Sequence, residues 1–255
     1  MNQTNDNASL EMPENTNPRV ALITGASQRL GAATSKELHQ HGYNIIIHYN
    51  QSLTSAQELV NSFNQKRENS AHAIQADLND AKSVTNLAES ALGLHGKINV
   101  LVNNASSFYP TPMGSGTDKD WENLFGSNSK APFFLSQHLT ETLKANQGCI
   151  INMVDIHAAR PIKDHTIYCM AKSSLVTLTK SLAKELAPQV RVNGVAPGAI
   201  LWPENITEAE KEKILRQIPL ERIGSAKDIA KTILFLVQAD YITGQIIAVD
   251  GGRSL

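Results

Sequence analysis

Apolar positions alternate along the chain between two rhythms. Short runs of strand length, "RVALIT" from Arg19, "YNIIIHYN" from Tyr43, "AHAIQAD" from Ala71, "INVLVNNA" from Ile98, "CIINMV" from Cys149, "VRVNGVA" from Val190 and "QIIAVDGG" from Gln245, read as strands, and each but the third holds at least three Val, Ile or Leu residues. Strands of that kind are buried on both faces. Between them lie segments of helical period: residues 30–42 with a Gly42 stop, 52–67, 80–94, 121–145, 165–187 and 226–237. Strands alternating with helices predict one parallel sheet covered on both faces, with ligands bound beyond the carboxyl ends of the strands. Two stretches that follow strand ends predict loops: "SFYPTPMGSGTD" from Ser107, and residues 197–219, which carry a short charged helix, "EAEKEKILRQ".

Composition narrows the partners. With 255 residues, 41% of them hydrophobic, the chain is long enough for one α/β domain with a full core. Its 23 basic and 24 acidic residues form neither a polycation for nucleic acid nor a basic face for a membrane, which leaves a small molecule as the expected partner. Cys149 and Cys169 have no CxxC spacing and no histidine cluster, so both are expected to be reduced core residues of a cytoplasmic protein, and no metal is expected. The Asn-rich, acidic residues 1–18 are unlike a signal or transit peptide and predict a disordered tail. No apolar run reaches membrane-spanning length.

The chemistry concentrates at strand ends. "TGASQRLG", Thr24 to Gly31, is a strand-to-helix turn of the kind that sets backbone N–H groups against a pyrophosphate, with Gly25 and Gly31 keeping it open. Arg29 stands in it where a glycine is expected. The second strand ends in His48, Tyr49, Asn50, Gln51 and Ser52, without the acid that a ribose 2′-hydroxyl calls for. That favours a 2′-phosphate, hence NADPH; a plain polar loop is the alternative. Tyr168 and Lys172 are four apart in a helical pattern and share a face. An ammonium there is expected to favour ionisation of the phenol, making Tyr168 a proton donor and acceptor near neutral pH. Asp155, Asn104 and Asn128 converge on the same edge.

These motifs together resemble the short-chain dehydrogenase/reductase family over Arg19 to Leu255: "TGxxxxxG", "NNA", the mid-helix Asn128, "YxxxK" and "VNGVAPG". Within it the chain resembles the pteridine reductases, through Arg29, "NNASSFYPTP", "FGSN", "INMVD" with Asp155 in place of the usual serine, and "YITG" to "VDGG". The resemblance implies a single Rossmann-type, doubly wound α/β domain over 19–255, a homotetramer, NADPH as cofactor, and reduction of a pterin, with inhibition by antifolates such as methotrexate. It implies that Arg29 bridges cofactor phosphates and pterin, that Ser106 lies between cofactor and pterin, and that Phe108 stacks on the pterin. Lys172 would hold the nicotinamide ribose, Asn128 a proton-relay water, and Asp77 with Leu78 the adenine. Leu30, Ala105, Pro197 and Gly198 fall in cofactor-binding positions, while Asp155, Tyr168 and Lys172 handle protons. Chemically, a carboxyl group suits a ring nitrogen that must gain a proton, where a carbonyl reductase uses a serine hydroxyl. The chain departs from the resemblance at Gln51, where some pteridine reductases carry arginine, and in "GAILWPEN" from Gly198, where Trp202 either faces the pterin tail or packs a lid. A carbonyl or 3-oxoacyl reductase and a non-catalytic NADPH sensor are the alternatives, and the identity of the pterin, whether biopterin, monapterin or dihydrofolate, stays open.

Overall fold

The computed structural model describes residues 18–202 and 206–255. The tail expected over 1–18 lies outside the described residues except for Pro18, as do positions 203–205 of the 197–219 loop.

Seven strands form one sheet: β1 (Val20–Ile23), β2 (Asn44–Tyr49), β3 (Ala71–Gln75), β4 (Val100–Asn103), β5 (Cys149–Met153), β6 (Arg191–Pro197) and β7 (Ile246–Val249). Their order is β3-β2-β1-β4-β5-β6-β7, and every neighbouring pair is parallel. This is the doubly wound arrangement that the alternation predicts. The strand order reverses between β1 and β4, where Ala21 pairs with Val100 and Ile23 with Val102. A crevice opens at such a reversal, because the connections leave it toward opposite faces.

The two faces of the sheet separate by residue parity. Ala21, Ile23, Ile45, Ile47, Val100 and Val102 pack into one core with helices α1 (Arg29–Gln40), α2 (Leu53–Asn64) and α9 (Ala226–Gln238). Val20, Leu22, Ile46, Leu101 and Ile150 pack into the other with α3 (Ala81–His95) and the segments following β4. Both parities are apolar because both faces are covered, which is why the strands read as continuous hydrophobic runs rather than as alternation. Cys149 and Cys169 are both buried and unpaired, as expected for core thiols, and burial pushes the Cys149 thiol up to about 11.

The predicted long helix over 121–145 is a correction. The chain instead forms α4 (Asp118–Phe125), a π turn over Gly126–Lys130, α5 (Ala131–His138) and α6 (Thr140–Ala145). Helix α4 begins three residues before Trp121, because Thr117 and Asp120 form a capping box. The break follows from Pro132, which lacks the N–H that would bond the carbonyl of Asn128 in a regular helix. Helix α7 (Thr166–Glu185) is continuous, and α8 (Glu208–Leu215) is the short charged helix of the 197–219 loop.

Candidate active site

The turn after β1 is built around two close approaches. A Cβ on Gly31 would stand 2.2 Å from the Gly25 carbonyl oxygen, and one on Gly25, whose φ is +59°, would stand 2.9 Å from the Cα of Ala105. Neither position admits a side chain. The Asn104 amide donates to the carbonyls of Thr24 (2.8 Å) and Gly25 (3.0 Å), while the Thr24 hydroxyl accepts from the N–H groups of Asn104 (2.9 Å) and Ala105 (3.0 Å). The ends of β1 and β4 are thereby sewn together at the reversal point. Arg29 has φ +50°, the left-handed region, so the expectation of glycine there has a conformational basis. A non-glycine residue in that region costs about 1 kcal/mol, which makes the exposed arginine a retained strain.

His48 serves the same turn from β2. Its Nδ1 accepts from the Gly25 N–H at 3.0 Å and its Nε2–H donates to the Ala76 carbonyl at 3.1 Å, so the ring ties β1, β2 and the end of β3 together. Carbonyl and amide partners leave one possible neutral tautomer. Burial holds its pKa down at about 4, and the imidazole is uncharged at pH 7. Both ring nitrogens are thus spent inside the protein, and His48 serves the cleft as part of its wall.

Beyond β5, Asp155 caps a 3₁₀ turn over Ile156–Ala158, accepting the His157 N–H on Oδ1 at 2.8 Å. Its Oδ2 accepts the Tyr168 hydroxyl at 2.6 Å. Lys172, one helical turn on, is 2% exposed and donates from Nζ to the Met153 carbonyl at 2.8 Å; it stands 5.8 Å from the centroid of the Tyr168 ring. The expected easing of phenol ionisation is therefore overturned. Burial first, and the adjacent Asp155 carboxylate second, push the Tyr168 hydroxyl well above the ordinary phenol range. Burial pulls Lys172 down to about 8, partly opposed by Asp155. The resting arrangement is a neutral phenol donating to Asp155, beside a lysine with a weakened hold on its proton.

Asn128 sits in the π turn, 1% exposed. Its Nδ2 donates to the carbonyls of Ser107 and Leu124, each at 2.9 Å, and its Oδ1 accepts the Ser106 hydroxyl at 2.7 Å. The side chain is committed to the Ser106–Ser107 loop. Its backbone carbonyl has no α-type donor, because Pro132 lacks an N–H.

Two cavities meet at this edge. The larger, about 520 Å³, runs along the turn and past the ends of β2 and β3. Gly25, Arg29, Leu30 and Gly31 line it from the turn; His48, Tyr49, Asn50, Gln51 and Ser52 from β2; Asp77 and Leu78 from β3; and Asn104, Ala105 and Ser106 from β4. The second, about 330 Å³, is lined by Phe108, Asp155, Tyr168 and Lys172, with Pro197 and Gly198 at the end of β6. Arg29, Leu30, Asn104 and Ser106 belong to both walls. Asn128 lies behind Ser106 and lines neither. Trp202 is half-buried and is not among the residues lining the second cavity.

Two histidines were not singled out from the sequence. His157 lines the second cavity, and its backbone orients Asp155. His165 stacks on the Phe108 ring at 4.7 Å, while Tyr168 meets that ring edge-on at 4.8 Å. Phe108 remains 56% exposed, held from behind with surface left for a flat ligand. A histidine three positions before Tyr168 on a helical face was the available signal.

The same chain matches, over residues 25–254, the sequence model of a family described as enoyl-(acyl carrier protein) reductase. It belongs to the short-chain dehydrogenase/reductase family. Pteridine reductase 1 of Leishmania tarentolae is 38% identical, across 92% of this chain and 96% of that one. The 3-oxoacyl-[acyl-carrier-protein] reductase FabG of Staphylococcus aureus is 36% identical, across 91% and 96%. A short-chain type dehydrogenase/reductase of Picea abies is 29% identical, across 92% of each. This member of the family is accordingly an oxidoreductase with a Rossmann-type fold, and its family's reductases use a reduced nicotinamide cofactor.

Proposed function

We propose that this reductase reduces pterins with NADPH. The observation that carries the reading is the 2.6 Å bond from Tyr168 to Asp155, at the position where a carbonyl reductase presents a serine hydroxyl. A ketone oxygen needs one proton from a tyrosine. A pterin needs protons on ring nitrogens, and a carboxylate that already shares the phenol's hydrogen bond can relay one.

The cleft fits a dinucleotide, since Gly25 and Gly31 leave a cradle that a Cβ would fill and about 520 Å³ of space follows it. A bound reduced nicotinamide supplies the hydride. Arg29 lines both cavities, and its guanidinium can meet a phosphate and a heterocycle carbonyl at once. Ser106 stands at the junction, and Phe108, backed by His165, offers one face to a flat ring. Lys172, with one N–H on Met153, would hold the ribose with its remaining donors. Tyr168 would give its hydroxyl proton to the substrate, and Asp155 would take a proton from solvent at the open cavity and return it to the Tyr168 oxygen.

The second reading, a 3-oxoacyl reductase, is favoured by the FabG relative at 36% identity. Purified protein with NADPH separates the two: dihydrobiopterin should deplete NADPH absorbance, and a β-keto ester should not. Faster turnover of the ester would refute the pterin reading.

A further inference from the structure

We infer that His157 recognises a hydroxyl on the substrate's side chain, so that the enzyme takes dihydropterins with a hydroxylated, uncharged side chain in preference to alkyl or carboxylated ones. The inference rests on the pterin reading under Proposed function, and deepens it.

The 3₁₀ turn after β5 brings two polar residues to the second cavity. Asp155 and His157 both line it, while Ile156 between them is buried in the core. The His157 N–H holds Asp155 Oδ1 at 2.8 Å, so the residue is fixed beside the groups that handle the proton. Its imidazole is tied as well, because Nδ1 lies 3.0 Å from the Arg160 carbonyl oxygen. A carbonyl only accepts, so Nδ1 carries the hydrogen, and Nε2 of the neutral ring is an acceptor. One ring nitrogen is thus spent on the turn and the other is left to the cavity, unlike His48, where both are spent.

The rest of the lining gives that nitrogen its meaning. Arg29, Leu30, Asn104 and Ser106 are shared with the nucleotide cleft and mark one end of the cavity. Phe108, His157, Ile200 and Leu201 line the second cavity only, and the exposure of Phe108 and Leu201 puts this group at its mouth. His157 is the polar member of that group. Among the described residues, the lysine and arginine of the lining are Lys172, bonded to the Met153 carbonyl, and Arg29, at the nucleotide end. The mouth therefore offers a hydrogen-bonding nitrogen in apolar surroundings, and neither lysine nor arginine for a carboxylate. In a 7,8-dihydropterin the side chain sits on the carbon that takes the hydride, next to the nitrogen that takes the proton. A ring whose nitrogen meets Tyr168 and Asp155 carries its side chain toward the residues that flank them. A hydroxyl there satisfies Nε2, whereas an alkyl group desolvates it without a partner.

Steady-state kcat/KM with NADPH compares three substrates: dihydrobiopterin, 6-propyl-7,8-dihydropterin, which has the same carbon chain without its hydroxyls, and dihydrofolate. His157→Asn keeps a donor near the place of Nδ1 and loses the reach of Nε2, while His157→Gln keeps a polar atom near the place of Nε2. The wild-type protein should favour dihydrobiopterin over the propyl compound by about three- to tenfold, the range of one neutral hydrogen bond, and should favour it over dihydrofolate too. His157→Asn should bring the ratio to the propyl compound down to about one, and His157→Gln should retain part of the preference. The ratio is the readout because both compounds undergo the same reaction, so damage to the turn or to Asp155 lowers both rates alike. A wild-type ratio near one, a ratio that His157→Asn leaves unchanged or that His157→Gln abolishes as fully as His157→Asn, or faster turnover of dihydrofolate than of dihydrobiopterin would overturn the inference. Turnover of none of the three would refute the pterin reading and this inference with it, whereas turnover of all three at equal kcat/KM would refute only this inference.

Discussion

Asp155 and Arg29 are the two residues on which chemistry and conformation disagree with the ordinary pattern. Replacing Asp155 by serine keeps a hydroxyl acceptor for the His157 N–H but removes the partner of Tyr168. Asp155→Ser should therefore fold and bind NADPH with unchanged Kd, while pterin turnover falls by about 10²-fold or more, mainly in kcat, as expected when a proton-relay group is lost. Full pterin activity in this variant would make the carboxylate structural. Arg29 makes a two-sided case, because it sits at φ +50°. Arg29→Gly should raise stability by up to about 1 kcal/mol by releasing that strain, and should raise the pterin KM more than the NADPH Kd. An unchanged KM would remove the arginine from the substrate site. Both residues were legible in the sequence as departures from motifs. The direction of the Tyr168 shift was not, because spacing along a helix shows that Lys172 is near but not that burial and a carboxylate outweigh it.

Among the elements, the strands were legible and the segment after β4 was not. Apolar runs flanked by turns place the inner strands, since a strand covered on both faces has little freedom of composition, whereas the edge strands β3 and β7 are only partly buried and are placed by their spacing between helices. The stretch 121–145 keeps helical period throughout, and period alone does not register that one missing N–H at Pro132 opens a π turn. That turn carries the site's logic at this scale: it buries Asn128, aims its side chain at Ser106 and Ser107, and leaves its carbonyl without an α-type donor. Pro132→Ala supplies the donor. Turnover should fall several-fold, on the order of one neutral hydrogen bond, with stability changed by less than about 1 kcal/mol and NADPH Kd unchanged. Steady-state kinetics beside urea unfolding would check this, and an unaltered kcat would show that the carbonyl plays no part. The phosphate turn behaves differently, because its geometry is written in its residues: two glycines that admit no Cβ, and an asparagine and a threonine that bond across to the neighbouring strand.

For the molecule as a whole, the same histidine that shapes the cleft ties cofactor binding to acid stability. His48 is neutral in the fold, with a pKa near 4 against an ordinary value of 6.5, because burial opposes its charged form. His39, stacked on Phe63 and bonded to Ser70, is held near 4 by burial and by the nearby Arg67 and Lys66 charges. A group whose native pKa is depressed binds more protons when unfolded, so stability rises with pH between the two values. The contribution of His48 is complete above pH 6.5 and is lost progressively as pH falls toward 4, by a total of about 3 kcal/mol. Replacement by glutamine keeps a non-titrating donor for the Ala76 carbonyl but gives up the acceptor for the Gly25 N–H. His48→Gln should be less stable than the wild type at pH 7 by about 1–2 kcal/mol, yet lose less stability on acidification, so that the gap between the two proteins closes or reverses near pH 4. Urea midpoints at several pH values measure the difference directly, and subtracting the variant cancels every other titrating group. NADPH affinity at pH 7 should weaken in parallel, since the N–H of Gly25 is then free to turn away from the geometry that the cradle requires. Parallel stability curves would show that the buried imidazole does not control acid unfolding, and unchanged affinity would release the phosphate turn from its dependence on β2.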